Sequence, residues 1–307
     1  MSNSTENAKS GGIKKDVFTI VTEKIIEQLE HGTVPWHKPW TNAGMPTNLI
    51  SKKAYRGINL MLLSMLGYEQ NFFLTFKQQQ EIKGSVKKDE KPHMVAYWNF
   101  PDRKEDGEQP EQEERESKKA ILRYYLVYNV SQCTGIDDKI PPVTVREAQP
   151  LVACDAIVSG MPNPPTIKHK EARAYYSPLA DLVNMPKQST FESDESYYAT
   201  LFHELVHSTG HHSRLDRFGL IQMSEISDGK HAYSFEELIA EIGSSYLQCY
   251  AGISSQFEQS AAYVAGWLQV LKNDHRFVIS ASSAAQKAVD YILGAVGETE
   301  ETLTVSE

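Results

Sequence analysis

The spacing of apolar positions changes several times along this chain, and each change marks a predicted element. Over residues 16–32, Val17, Ile20, Val21, Ile25, Ile26 and Leu29 recur every three or four positions. That period predicts an amphipathic helix started by the Asp16 carboxylate and ended at Gly32. Residues 58–66, INLMLLSML, predict an apolar, buried helix. The aromatic and β-branched runs 94–100 (MVAYWNF) and 121–130 (ILRYYLVYNV) read as paired strands, and the charged residues 101–119 between them as an exposed hairpin tip or mobile loop.

The second half is read in the same way. Residues 151–159 predict a short helix broken by MPNPP. Runs 173–176 and 181–185 read as a hairpin, whose edge strand offers main-chain pairing to an extended peptide. Leu201, Phe202, Leu205 and Val206 give residues 196–212 a buried helical face. Residues 218–232 are loop-like, after which Ser234, with Glu237 three positions on, reads as the N-cap and capping box of SFEELIAEIGSSYLQCY. Helices are also predicted over 261–271 and 284–293. The whole is α+β in two domains: residues 16–142 form an N-terminal α+β domain, and residues 143–297 a mainly helical one with a small antiparallel sheet. A disordered leader (1–15) and tail (298–307) flank them, and the proline-bearing stretch 137–150 is the linker.

Composition narrows the class. The chain has no apolar run of about eighteen residues, and its first dozen positions are polar, so a soluble, unexported protein without membrane contact is expected. Three widely spaced cysteines, Cys133, Cys154 and Cys249, form no C-x-x-C pair and point to a reducing cytoplasm. The net charge of −9 is uneven: residues 1–100 carry +4, residues 101–150 carry −3 and residues 151–307 carry −10. A polyanion would therefore meet the N-terminal third.

That third also holds the aromatic and basic candidates for nucleic acid. VPWHKPW presents Trp36, Lys38 and Trp40 on a backbone held extended by Pro35 and Pro39, so the rings could stack on unpaired bases while Lys38 meets phosphate. The alternative is that the tryptophans plug the core. Lys52, Lys53, Tyr55 and Arg56 crowd the start of INLMLLSML, a candidate phosphate seat, and Lys87 and Lys88 add charge farther on.

The sharpest chemical signal is His203, Glu204 and His207, spelling H-E-x-x-H on a predicted helix. Imidazoles four positions apart share a face and can converge on one ion, and Glu204 suits a carboxylate that takes a proton from a metal-activated water. A third ligand is required. The scheme H-E-x-x-H-x-x-G-x-x-H fails at its last position, where Ser213 stands, with His211 and His212 one or two residues early. A glutamate from SFEELIAEIG is the better candidate among Glu236, Glu237 and Glu241. Glu237 is assigned as ligand and Glu241, on the same face, as acceptor for a ligand histidine's ring N–H, with His211 the runner-up. Small residues Ala240 and Ser244 would let this helix approach closely. Zn²⁺ suits the donor set, with Mn²⁺ admitted where availability overrides affinity. An oxyanion donor could be His211, His212, Tyr233 or Tyr175.

Read together, GTVPWHKPW, PTNLISKKAYRGINL, LTFKQQ, YNVSQ, AYYSP, YYATLFHELVHSTGH with SRLDR, EELIAEIGSSYL, and YVAGWLQVLKND with AQKAVDYIL resemble the ArdC antirestriction proteins of conjugative plasmids over nearly the whole chain. The resemblance implies an N-terminal domain that binds single-stranded DNA without sequence preference and a zincin-like metallopeptidase domain. It places the metal on His203, His207 and a glutamate of EELIAE, with Glu204 as general base. It also implies protection of incoming DNA from host restriction. The acidic insertion 105–116 departs from a basic binding surface. Two other readings share these residues: a DNA-coating protein with a structural metal, and a regulatory peptidase that cleaves a host repressor or restriction protein.

Overall fold

The computed structural model describes residues 16–36, 44–99, 120–142, 150–217, 229–253 and 261–295. The leader, the whole charged insertion, the middle of the linker, most of the stretch read as a loop before Ser234, and the tail lie outside these residues.

Helix α1 (Val17–Glu30) starts where Asp16 accepts the Thr19 N–H at 2.7 Å and buries Val21, Ile25 and Leu29. A four-stranded sheet follows, ordered β1 (Thr47–Asn48), β2 (Phe72–Thr75), β5 (Ile121–Asn129) and β4 (His93–Asn99). β4 and β5 pair antiparallel, with Val95 opposite Tyr125. The outer edge of β4 is closed by Asn59 of α2 (Ile58–Ser64). Its side-chain amide donates to the Ala96 carbonyl at 2.6 Å and accepts the Ala96 N–H at 2.7 Å. A side chain thus takes the place of a further strand at an otherwise open edge. Helix α3 (Phe76–Glu81) and the β3–β6 pair (Ser85–Val86, Cys133–Thr134) complete this part.

Helix α4 (Pro150–Gly160) leads to a three-stranded sheet ordered β7 (Thr166–Lys168), β9 (Leu182–Asn184) and β8 (Tyr175–Ser177). The predicted hairpin is the β8–β9 pair; β7, not anticipated, pairs parallel to β9. Then come α5 (Asp194–Ser208), α6 (Gly229–Ala251), α7 (Ala261–Asn273) and α8 (Phe277–Ile292). Helix α6 begins five residues before Ser234. Ser234 is therefore inside the helix, and the capping-box reading is corrected.

The largest apolar cluster runs from Val21 of α1 to Ile292 of α8 and joins the two halves. Thr22 donates its hydroxyl to the His275 carbonyl at 2.7 Å, and Glu30 pairs with Lys272 at 2.6 Å. At α2 the backbone turns through Gly57 at φ 55° and ψ −138°, a region open in practice only to glycine. The Gly57 N–H is taken by Gln286 at 2.9 Å and its carbonyl by the Tyr246 hydroxyl at 2.7 Å. The end of α2 read as a phosphate seat is thus packed onto α8, a correction of that expectation.

Candidate metal centre

Helix α5 carries the H-E-x-x-H residues. Ser193 caps it by accepting the Ser196 N–H, and Asp194 and Glu195 complement its N-terminal dipole. Its buried face meets α6 at unusually short range: a Cβ added at Gly243 would lie 2.8 and 2.9 Å from the methyls of Val206. Ser244 donates to the Ala199 carbonyl at 2.7 Å across the same seam. Small residues on α6 therefore let the carboxylates of one helix reach the imidazoles of the other.

The result is a triad of His203, His207 and Glu237, with one ligand atom from each lying within 4.8 Å of the others. The two histidine Nε2 atoms are 3.1 Å apart. Each stands 3.6 Å from a Glu237 oxygen. Tetrahedral ligands at zinc distances are separated by about 3.3 Å, so these residues fit such an ion. Burial disfavours protonation of His203, but its bond to Glu237 and the charges of Glu241 and Glu204 outweigh it and raise its pKa.

Glu204 is 8% exposed and takes no part in the triad. Burial lifts its carboxyl above the usual range, against the pull of the two histidines, and the Tyr176 N–H of β8 bonds to it. A buried carboxyl with a raised pKa beside three residues that can hold a metal ion is an arrangement that suits a general base. Arg214 fixes the nearby hairpin to the end of α5. It donates to the Ser208 carbonyl at 2.7 Å, to the Tyr176 hydroxyl at 3.2 Å and to Asp181. The strand β8 is thereby held at the sheet edge beside Glu204.

Other expectations fare differently. The acceptor at His207 Nδ1 is Glu236, at 3.2 Å, not Glu241. Glu236 is in turn gripped by Arg217 at 2.6 and 2.8 Å. Glu241 lies a turn beyond Glu237, acts on His203 through its charge, and lines a hollow of about 310 Å³ with Glu237, Tyr263, Trp267 and Val270. His211 bonds to Ser213 at 2.8 Å and is outside the triad. Tyr175 donates its hydroxyl to Glu171, and the Tyr233 side chain is not among those described.

Of the nucleic-acid candidates, Trp36 is fully buried: its ring meets Trp267 edge-on at 5.8 Å and its Nε1 faces the Tyr263 hydroxyl at 3.5 Å. No base can reach it, and the core alternative holds. Tyr55 is likewise buried, against Phe73. Arg56 pairs with Asp290 of α8. Lys52, Lys53, Lys87 and Lys88 are exposed, Lys87 with its ammonium on the Ser131 carbonyl at 2.7 Å. Lys38 and Trp40 lie outside the described residues.

Among the described residues no helix is long and apolar enough to cross a membrane. Residues 157–284 match the zincin-like metallopeptidases, and residues 15–129 match the N-terminal domain of anti-restriction factor ArdC. Two Escherichia coli proteins called DNA primase TraC are 34% and 32% identical over 91% and 92% of this chain. The chain spans only 20% and 27% of their lengths. The uncharacterized protein y4eC of Sinorhizobium fredii is 31% identical, with 90% of this chain and 91% of that protein covered. The crystal structure of the antirestriction ArdC protein from plasmid R388 in its metal-free form is 38% identical. It superposes with a TM-score of 0.72 over 91% of this chain and 97% of that one. Its Mn(II)-bound form gives 0.71 over 93% and 100%. With both halves matched in order, and y4eC and the R388 ArdC chain covered over nearly their whole lengths, the chain belongs to the ArdC family of antirestriction proteins.

Proposed function

We propose that this protein is a cytoplasmic antirestriction factor of a mobile element that binds single-stranded DNA without sequence preference and hydrolyses peptide bonds at a metal-dependent site. The observation that supports the peptidase part best is the tetrahedral spacing of His203, His207 and Glu237 beside a buried Glu204 that is not a ligand. A divalent ion there would polarise a scissile carbonyl and acidify water. Glu204 would take the proton and pass it to the leaving amine, while the edge of β8 would pair with an extended peptide segment of a host protein. Two imidazoles and a carboxylate favour zinc by intrinsic affinity; the Mn(II)-bound R388 relative makes manganese the second choice.

Single-turnover cleavage of a peptide library by the metal-loaded full chain tests this. Glu204→Gln should slow it about 10²- to 10⁴-fold while metal binding persists. Equal rates would remove Glu204 from catalysis.

The DNA part rests on the exposed lysines Lys52, Lys53, Lys87 and Lys88 and on the match of residues 15–129 to the ArdC N-terminal domain. Single-strand affinity should fall with salt by about 0.7 log units per log unit of salt for each phosphate contact. Replacing Lys52, Lys53 and Lys88 together by alanine should flatten that slope by about 2. An unchanged slope would place the DNA elsewhere.

A further inference from the structure

We propose that Arg217 is a positioning residue for the metal centre, locking the two ligand-bearing helices together and, through Glu236, setting the orientation of the His207 ring. The inference rests on the reading of His203, His207 and Glu237 as a metal triad. Arg217 is 8% exposed and Glu236 9% exposed, so this is a buried ion pair, which persists only where its polar atoms are well bonded.

They are. On one side the guanidinium holds Glu236 at both oxygens, Nε to Oε2 at 2.8 Å and NH2 to Oε1 at 2.6 Å. On the other it reaches the last turn of α5, donating to the Val206 carbonyl at 3.0 Å and the Thr209 hydroxyl at 2.9 Å. Val206 precedes the ligand His207, and Glu236 precedes the ligand Glu237. One side chain from the segment after α5 therefore ties together the residues that precede two of the three ligands.

The same clamp fixes the imidazole. An ionised carboxylate can only accept, so His207 Nδ1, 3.2 Å from Glu236 Oε1, is the protonated nitrogen. Nε2 is left with its lone pair directed at the triad. Removing the pair would free the ring to rotate and to change tautomer. Planar, bidentate contact on one side and two diverging donors on the other suit arginine and not lysine.

The test uses the full chain, Zn²⁺ as the only ligand, competition against a chromophoric chelator for affinity, and the visible bands of the Co²⁺ form for ligand geometry. Glu236→Gln and Arg217→Lys should each weaken Zn²⁺ about 10- to 100-fold and alter the Co²⁺ bands. The double variant Arg217→Met with Glu236→Leu removes the buried charges together. It should fold with a metal-free melting temperature near the parent's yet keep the weak affinity. Affinity within about twofold of the parent in Glu236→Gln, or recovered together with melting temperature in the double variant, would overturn the proposal. His203→Ala separates the layers. If it binds Zn²⁺ as well as the parent does, the triad itself is wrong; if it does not, while Glu236→Gln does, only the role of Arg217 and Glu236 fails.

Discussion

The convergence of His203 and His207 was legible because helical spacing alone brings imidazoles four positions apart onto one face, with Glu204 beside them and outside the group they form with Glu237. The partners on α6 were harder. Glu237 and Glu241 share a face, which favoured them as a working pair, yet the structure uses the adjacent Glu236 and Glu237. An imidazole carries nitrogens on opposite sides of the ring, so neighbouring carboxylates about 100° apart around a helix can each take one. Arg217 carries no signal of its own within SRLDR, since nothing in sequence spacing says that the segment after α5 folds back under it. The cysteines give a prediction at the same scale. Burial pushes the Cys249 thiol up to about 12. Burial, with the charges of Asp155 and Glu195, does the same for Cys154. Burial raises Cys133 as well. Raised values mean less thiolate at a given pH: at pH 8 a thiol of pKa 12 is about 10⁻⁴ ionised, against roughly a quarter for a free cysteine. Cys133 and Cys154, both buried, should therefore react with a disulfide reagent at pH 8 far more slowly than a free thiol, and all three thiols should react at once in denaturant. Rapid labelling of Cys154 in the folded protein would contradict its full burial.

At the scale of elements, periodicity located α1, α4, α5 and the β4–β5 pair, because each has one apolar face set by local sequence. It placed the start of α6 too late, since Ser234 and Glu237 imitate a cap that the chain does not use. It missed β7, whose three residues Thr166–Lys168 are too few to show a period. The α5–α6 seam was partly foreseen from Ala240 and Ser244, but Gly243 sets the approach. A methyl there would meet both branches of Val206, a side chain stiff at χ1 because it is β-branched. Gly243→Ala should cost about 1–3 kcal/mol of stability, read as a lower urea midpoint. It should also weaken zinc, because Val206 adjoins His207 and the displaced α5 would carry that ligand off the triad. Trimming the obstruction with Val206→Ala in the same chain should recover much of the affinity. If Gly243→Ala alone leaves zinc affinity unchanged, the ligands are set by something other than this helix contact.

At the scale of the molecule, the two-part division read from composition and the proline-rich linker meets a core that ignores it. Helix α1, assigned to the first part, packs with α7 and α8, and Trp36 sits between Tyr263 and Trp267 with its carbonyl accepting the Ser245 hydroxyl of α6. Long-range contacts of this kind have no sequence period, so charge and linker composition could not reveal them. Trp36 therefore links the N-terminal segment to the wall of the hollow beside Glu237 and Glu241. Trp36→Ala should cost about 3–5 kcal/mol and loosen that wall, although the residue touches neither DNA nor metal. The stronger consequence concerns truncation. A fragment of residues 143–307 contains His203, His207 and Glu237 but lacks α1 and Trp36, exposing the faces of α7 and α8 that they cover. It should bind a hydrophobic dye, lose its near-ultraviolet tryptophan signal and hold zinc more weakly than the full chain. The full chain, by contrast, should unfold in one transition that near- and far-ultraviolet circular dichroism follow together. A fragment that folds natively and holds zinc as tightly as the full chain would show that the shared core is dispensable and that the two parts are independent after all.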